Sequence, residues 1–543
     1  MRFIKEISSK LHDIPDRMRR CRPMGVVLAI AVVLQFGFIA YANLFTIREV
    51  MDNDMAKLFV HIAEMWRTKS VLIPGWVYDT TVEIDCSSVL AVFIYGITGD
   101  IYISFGIANI IFLILYLYII ARFAEEAGFT PEAGRLAMLA VMIPYSFGQL
   151  LYFDMMFFGG AYYCMKVAVP LIAIYFFVSG DVFGKRRLPL SVICLCFTFI
   201  TAFSSGVYVF VSGVLPVLMV YVLISRKTRE RSIYALIMTV LSSVGVMLNM
   251  TVPYDKVGLS GSIVTEDSIG DSVRSLIMCF IEMMGGLPYE QVSPVSVQGI
   301  KYVMRFVLIL LLIVFAAVYL LRASGSVYYA HEGVRSEISV YIAALICVDM
   351  LILVLTGLGT QSRYLLPSFI PLLIIFAMEL WEKAAERRGT LTGILLVTAV
   401  IMVTLLSDRD VVCGEPYPFY RADSIKYDAL DEILAQYPDM DAVFLNDIGT
   451  TEIIRARNLE DSREYVTYMC GNADYEDGMM VCDYYSRLTD PGAIDEKHIL
   501  VVNEYFGDIS MLPDGMAGYY EQVGEYQIFS VYVSRQAVFA PGI

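Results

Sequence analysis

Apolar runs dominate the chain, and twelve follow a basic N-terminus. They lie near 24–46, 86–99, 101–123, 135–153, 155–179, 189–203, 206–224, 232–250, 300–321, 338–357, 363–381 and 390–407. Most have roughly 18–24 residues, the length a helix needs to cross about 30 Å of hydrocarbon. Arg17 to Arg22, Lys185-Arg186-Arg187, Arg226-Lys227 with Arg229 and Arg231, Arg322 with Arg335, and Lys383 with Arg387-Arg388 read as cytoplasmic loops. These alternate with loops poor in Lys and Arg. If all twelve runs spanned, Lys185-Arg186-Arg187 would follow the fifth crossing and fall outside. The weakest run is Cys86 to Gly99, which is short and broken by Gly96 and Gly99, so it reads as interfacial. Eleven spanning helices remain, with the N-terminus inside and the C-terminus outside. The expected architecture is an α-helical polytopic membrane protein with about 11 spanning helices plus interfacial helices.

Three polar regions then share the outer face: Arg48 to about Ser88 (within a loop region 48–100), the stretch 251–299, and everything after Ser407. The second has the spacing of an amphipathic helix at Ser272 to Met284. In the third, Ile425 to Gln436 has helical spacing, and Ala442 to Leu445, His498 to Val502 and Tyr526 to Val533 are β-rich. The division expected is a cytoplasmic segment 1–23, a transmembrane domain 24–407, and a small extracytoplasmic α/β domain 408–543.

Composition supports the membrane reading. The 543 residues are 57% hydrophobic, with mean hydropathy +0.64. Arg17 to Arg22 precede a run too long for a signal peptide, and no small-residue cleavage site follows it. The net charge is −15, but from Asp408 onward 26 Asp/Glu face 9 Lys/Arg, a balance of −17, so the remainder carries +2. That acidity argues against nucleic acid as a partner. The ten cysteines form no metal pattern. Cys194 and Cys196 lie in an apolar run and read as buried thiols, while Cys470 and Cys482 could pair if their domain is outside the cell.

The polar island Asp52-Asn53-Asp54 follows the first span and opens a helix-like stretch, Met55 to Thr68. Asp54, Lys57 and His61 return to one face of such a helix; the plain alternative is a surface helix whose charged face meets water. In the alternating topology, Asp52, Asp54, Glu83, Asp85 and Asp154 lie outside at membrane level. Carboxylates at such a boundary suit a general base, or would bind a divalent cation through oxygen. For Asp154 a helix cap is the simpler role. Lys301 and Arg305 begin one span and Arg363 another, on the same side. Such cations either snorkel to headgroups or take a lipid phosphate or pyrophosphate. Lys166 lies inside an apolar run and needs a partner or an anionic ligand, with Asp349 the partner to test.

This order of features resembles the GT-C superfamily of integral-membrane glycosyltransferases, especially its aminoarabinose-transferase and protein O-mannosyltransferase-like branch. The matching residues are Asp52-Asn53-Asp54, then Ala63-Glu64-Met65-Trp66 and Leu72-Ile73-Pro74, the interfacial Ser88 to Gly99, Asp154 in a turn, and Arg363-Tyr364 with Pro367. Counted from Pro74, Asp54 falls at the family's catalytic position and Glu83 at its interfacial acidic one. Two positions depart from the pattern: Met55 follows the catalytic aspartate where the family commonly has an acid, and Asp85-Cys86-Ser87 replaces Lys-Pro-Pro.

The resemblance implies transfer of a sugar from a polyprenyl-phosphate donor on the outer membrane face, to an envelope glycan, lipid or protein. It implies Asp54 as general base, with Asp154 and Glu83 as further catalytic acids. Arg363, Lys301, Arg305 and Lys166 would hold the donor phosphate, and His61, Asp52 and Tyr364 would position substrate. Within the family, relatives differ in metal dependence, and the acidic cluster suits either kind. A flippase or transporter of lipid-linked sugars, using Lys166 and Asp349 as a pathway, and an inactive envelope scaffold are the competing readings.

Overall fold

The computed structural model describes residues 22–74, 76, 78, 81–148, 151–179, 184, 187–224, 228–251, 263–265, 268–288, 291–329, 333–358, 361–387, 390–414, 416–469, 480–481, 497–511 and 516–534. Cys470, Cys482, Lys185 and Arg186 lie outside the described residues. Contacts divide the chain into two units. One holds the chain to Ala42, Asn109–Thr251 and Ser260–Gly414. The other holds Asn43–Ala108 and Glu415–Ile543, with Val252–Leu259.

The helices, in chain order, are α1 (Arg22–Phe45), α2 (Asn53–Thr68), α3 (Ser88–Thr98), α4 (Ile101–Glu126), α5 (Pro131–Met142), α6 (Cys164–Ser179), α7 (Leu188–Ser205) and α8 (Val207–Leu223). After them come α9 (Arg229–Thr251), α10 (Ile269–Met283), α11 (Val297–Tyr328), α12 (Val334–Thr356), α13 (Leu366–Arg387) and α14 (Thr390–Cys413). Among the described residues, seven helices of 23 to 32 residues are long and apolar enough to cross a membrane: α1, α4, α9, α11, α12, α13 with the turn before it, and α14. This is a multi-pass membrane protein. The runs 155–179, 189–203 and 206–224 form the shorter apolar helices α6, α7 and α8, and the run 86–99 forms the eleven-residue α3.

The run 135–153 departs from the expected pattern. Its helix, α5, stops at Met142 because Pro144 forces Ile143 into extended backbone (φ −68°, ψ 124°). The chain re-forms only as a π-helical turn, Asp154–Phe158. Helix α13 is the most buried of the spans, whereas α1, α11 and α14 leave most of their apolar surface outward, as lipid-facing helices do.

Ion pairs mark the two ends of the helical unit. At one end Arg187 meets Glu126 (2.6 Å), Arg231 meets Glu337 (2.8 Å), and the Thr130 N–H donates to Glu382 (2.8 Å). Glu379 there collects Arg322 (2.9 Å), Lys383 (3.7 Å) and Arg335 (3.9 Å). Cations that the sequence placed in separate cytoplasmic loops therefore share one end. At the other end Lys301 and Arg305 of α11 meet Asp410 of α14.

In the second unit, α15 (Pro416–Leu434) leads into a six-stranded sheet of order β3-β2-β1-β4-β6-β5. The strands are β1 (Ala442–Leu445), β2 (Glu464–Met469), β3 (Met480–Val481), β4 (His498–Asn503), β5 (Glu521–Tyr526) and β6 (Phe529–Ser534). Strands β2, β1 and β4 are parallel, with α16 (Ile448–Arg457) crossing between β1 and β2. Val443, Leu445, Ile499, Val501 and Val531 pack on Leu430, Leu434 and Ile454. The expected single strand Tyr526 to Val533 is instead the end of β5, a two-residue turn and most of β6. Gln527 turns the corner at φ 52°, without the Gly or Asn that would have signalled a hairpin.

Candidate functional site

Helix α2 starts one residue after Asp52. The Asp52 carboxylate accepts from the Met55 N–H at 2.9 Å, which makes it the N-cap, and Asp54 falls in the first turn, where the helix dipole favours a negative charge. The two carboxylates are close enough to interact. Burial, and then the Asp54 charge, push the Asp52 carboxyl up to about 7.

One turn along, Lys57 and His61 point into the protein and not into water. They are 3% and 0% exposed, so the water-facing alternative does not hold for them. Lys57 Nζ donates to Glu83 Oε1 at 2.6 Å, a charge-assisted bond sealed from solvent. His61 Nδ1 lies 3.8 Å from the other Glu83 oxygen, and neither ring nitrogen has a hydrogen-bond partner among the described residues. The imidazole stacks near Trp76 (4.7 Å between centroids) and meets the edge of Tyr78 (5.8 Å). Burial and the Lys57 charge bring His61 down to about 3, so the ring is neutral at pH 7.

Glu83 is held in an uncommon conformation. Its φ is +61°, the left-handed region that glycine favours, and its carbonyl accepts from Cys86 Sγ (2.9 Å) and Ser88 Oγ (3.0 Å). A non-glycine residue strained in this way, with a buried carboxylate, is characteristic of a functional position. Asp85, two residues on, is fully buried. Helix α2 is clamped from both sides. Its Trp66 ring fills the space a side chain would need at Gly96 of α3, where an added Cβ would come within 2.4 Å. Helix α16 packs on it too, a Cβ at Gly449 falling 3.8 Å from Asn53.

The remaining candidates belong to the helical unit. Asp154 opens the π-helical turn and is 3% exposed. π-Turns concentrate at functional sites. Lys166 donates to the Tyr162 carbonyl at 3.0 Å and lies over the Tyr162 and Tyr163 rings, at 4.3 and 5.1 Å. Asp349 forms no ion pair with it; its hydrogen-bonding neighbour is Ser368. Arg363 Nε donates to Gln361 (3.0 Å) and its guanidinium lies 5.4 Å from the Tyr364 ring centre.

Lys301 and Arg305 are already engaged. Lys301 donates to both Asp410 oxygens (2.8 and 3.0 Å). Arg305 donates to Ser407 Oγ (2.6 Å), Asp410 and the Pro144 and Gly285 carbonyls (3.3 Å each). Gly285 is required there: its φ is +59°, and an added Cβ would lie 1.9 Å from the Tyr145 carbonyl. A phosphate on these two cations would compete with Asp410.

Trp76, Tyr78 and Asp410 are among the members of these clusters that sequence reasoning missed, as are Tyr163, Ser368 and Ser407. Trp76 and Tyr78 fall in a stretch with no helical or strand period, and Asp410 stands 109 residues from Lys301. Among the described residues no group of three His, Cys, Asp or Glu side chains is placed to hold a metal ion.

No family model and no curated protein matches the sequence. The chain is similar to solved structures of GT-C fold glycosyltransferases. ArnT from Cupriavidus metallidurans bound to undecaprenyl phosphate is 12% identical, covering 95% of this chain and 99% of that one, with a TM-score of 0.45. The archaeal oligosaccharyltransferase AglB from Archaeoglobus fulgidus, in complex with an inhibitory peptide and a dolichol-phosphate, is 10% identical over 92% and 72% (TM-score 0.46). Arabinofuranosyltransferase AftD from Mycobacteria is 11% identical over 94% of this chain and 40% of its own length (TM-score 0.45).

Proposed function

We propose that the protein is a membrane glycosyltransferase that moves a sugar from a polyprenyl-phosphate donor to a hydroxyl-bearing acceptor outside the cell, with Asp54 as general base. The observation that carries this reading is the division of labour in the acidic island. Asp52 caps α2, and Asp54 stands in the first turn of that helix, one turn before a buried Lys57–Glu83–His61 cluster.

In the step proposed, the acceptor oxygen attacks the anomeric carbon as the bond from that carbon to the lipid phosphate breaks. Asp54 takes the acceptor proton, and the phosphate leaves with the bonding electrons. Arg363 and Lys166 neutralise the leaving phosphate, and Tyr364 orients the donor. Glu83 fixes Lys57 and His61 behind the base and acts through them. Lys301 and Arg305 serve Asp410 and so act on the ends of α11 and α14. Asp154 supports the acceptor side from its π-turn.

The test is transfer of labelled sugar from a polyprenyl-phosphate donor in membranes carrying the full chain. Asp54→Asn should lower the rate by about 10²- to 10⁴-fold with an unchanged melting temperature. Full transfer by that variant would remove Asp54 from the mechanism.

A further inference from the structure

Asp349 is a buried acid that the proposed chemistry does not use. It lies about two turns before the end of α12 and is 7% exposed. Ser368 reaches its carboxyl group, yet Oδ2 has no hydrogen-bond partner among the described residues. An acid in the membrane-spanning part of a protein is costly unless donors are supplied to it, and such residues mark substrate paths.

Its surroundings suit one kind of ligand. Ser368, which reaches the carboxyl group, stands one helical turn after Tyr364, and Tyr208 and Tyr341 lie within electrostatic reach of that group. The Tyr341 hydroxyl is committed to the Pro170 carbonyl (3.0 Å), whereas the Tyr208 ring belongs to a row, 6.1 Å from Tyr163 and 6.3 Å from Tyr364. A cation closes each end of that row, Lys166 by Tyr163 and Arg363 by Tyr364. Tyr163, Tyr208, Arg363 and Tyr364 stand at or just before the first turns of α6, α8 and α13, and Asp349 within the last turns of α12. Tyr208 itself is set by unusual backbone: Gly206 turns the chain at φ 62°, ψ −135°, Asn249 donates to the freed Phe203 and Ser204 carbonyls (2.6 and 3.2 Å), and a π-helical turn, Phe210–Val214, follows. Three aromatic faces, an acceptor oxygen and flanking cations match a sugar attached to a phosphate. Hydroxyls donate to the acid, the C–H face of the ring packs on tyrosine, and the phosphate meets a cation.

We propose that the Tyr163–Tyr208–Tyr364 row with Asp349 binds the sugar headgroup of a polyprenyl-phosphate sugar, Asp349 accepting a sugar hydroxyl. This deepens the transferase reading and rests on it.

The test uses the full chain in lipid nanodiscs and four probes. These are undecaprenyl phosphate and the same lipid linked to a hexose, an N-acetylhexosamine or a pentose. Wild type should bind at least one sugar-linked lipid more tightly than the bare lipid. Asp349→Asn should remove about 10- to 100-fold of affinity for that lipid while leaving the bare lipid unchanged. Arg363→Ala should weaken both. Should Asp349→Asn fail to fold, Tyr208→Leu, which removes the aromatic face, answers the same question, because loss of the preference supports the site and its persistence overturns it. No preference in wild type, a preference that survives Asp349→Asn, or an equal loss for both lipids overturns the headgroup site alone. If wild type binds none of the four probes, the transferase reading itself falls.

Discussion

Glu83 meets three demands at once: a buried charge, a strained backbone and two partners on α2. Replacing it with Gln removes the negative charge that Lys57 meets in a sealed site, a loss of about 3–5 kcal/mol. Thermal unfolding in detergent should show that loss, and Lys57→Met combined with Glu83→Leu should recover most of it without restoring transfer. Recovery of both would make the pair purely architectural.

The pH response has opposing parts. His61 is lowered to about 3 from an ordinary value of 6.5. Its contribution is complete above pH 6.5 and is lost as pH falls toward 3, because only the unfolded chain takes the proton. Asp52 is raised to about 7 from 3.8, so its contribution is complete below pH 3.8 and is lost as pH rises through 7. His61→Phe should therefore lose less stability than wild type between pH 6.5 and pH 4. An unchanged acid limb would mean that the ring is charged in the folded protein. The spacing of Asp54, Lys57 and His61 on one helix face was legible in the sequence. That the last two turn inward onto Glu83 was not, since burial depends on Trp76, Tyr78 and Glu83 packing onto α2.

At the scale of elements, caps and close approaches decide whether α2 presents Asp54 correctly. Asp52→Ala removes the N-cap, about 1 kcal/mol, while Asp52→Ser retains a capping oxygen. If Asp52 only caps, the serine variant should keep near-wild-type transfer and the alanine variant should lose stability and rate together. Equal loss in both would give Asp52 a chemical role. Gly285→Ala should displace the loop that receives Arg305 and lower the melting temperature, since both its φ and the Tyr145 carbonyl exclude a side chain. The long spans were readable because apolar length is set by the bilayer and leaves a plain mark. The run 135–153 misled because its composition stays apolar through Pro144 and Gly148, where a helix cannot continue. Strand β2 was missed for a related reason: Glu464–Met469 mixes polar and apolar residues beside two charged positions, with no clean alternation.

At the scale of the molecule, the C-terminal domain is not a free appendage. Residues 43–108 and 415–543 form one unit, and α16 packs on α2. A fragment of residues 415–543 alone would leave that face of α16 bare, where Arg455, Asn458 and Leu459 line a cleft with Val60 and Ala63 of α2. It should aggregate or give a poorly dispersed NMR spectrum; a well-dispersed monomer would show that the domain stands without α2. The charge shift after Asp408 marked this domain in the sequence. Its partnership with residues 43–108 left no such mark, because packing between distant segments has no local period.

That partnership has a consequence for synthesis. Residues 109–414 separate the two halves of the unit, and at 5–20 residues per second they take roughly 15–60 s to translate. Through that interval α2, with its buried Lys57 and His61 held by Glu83, exists without the helix that covers it. The proposed base can reach its final setting only after the last strands are made, so a chain cut short by a premature stop carries every spanning helix and an unfinished centre.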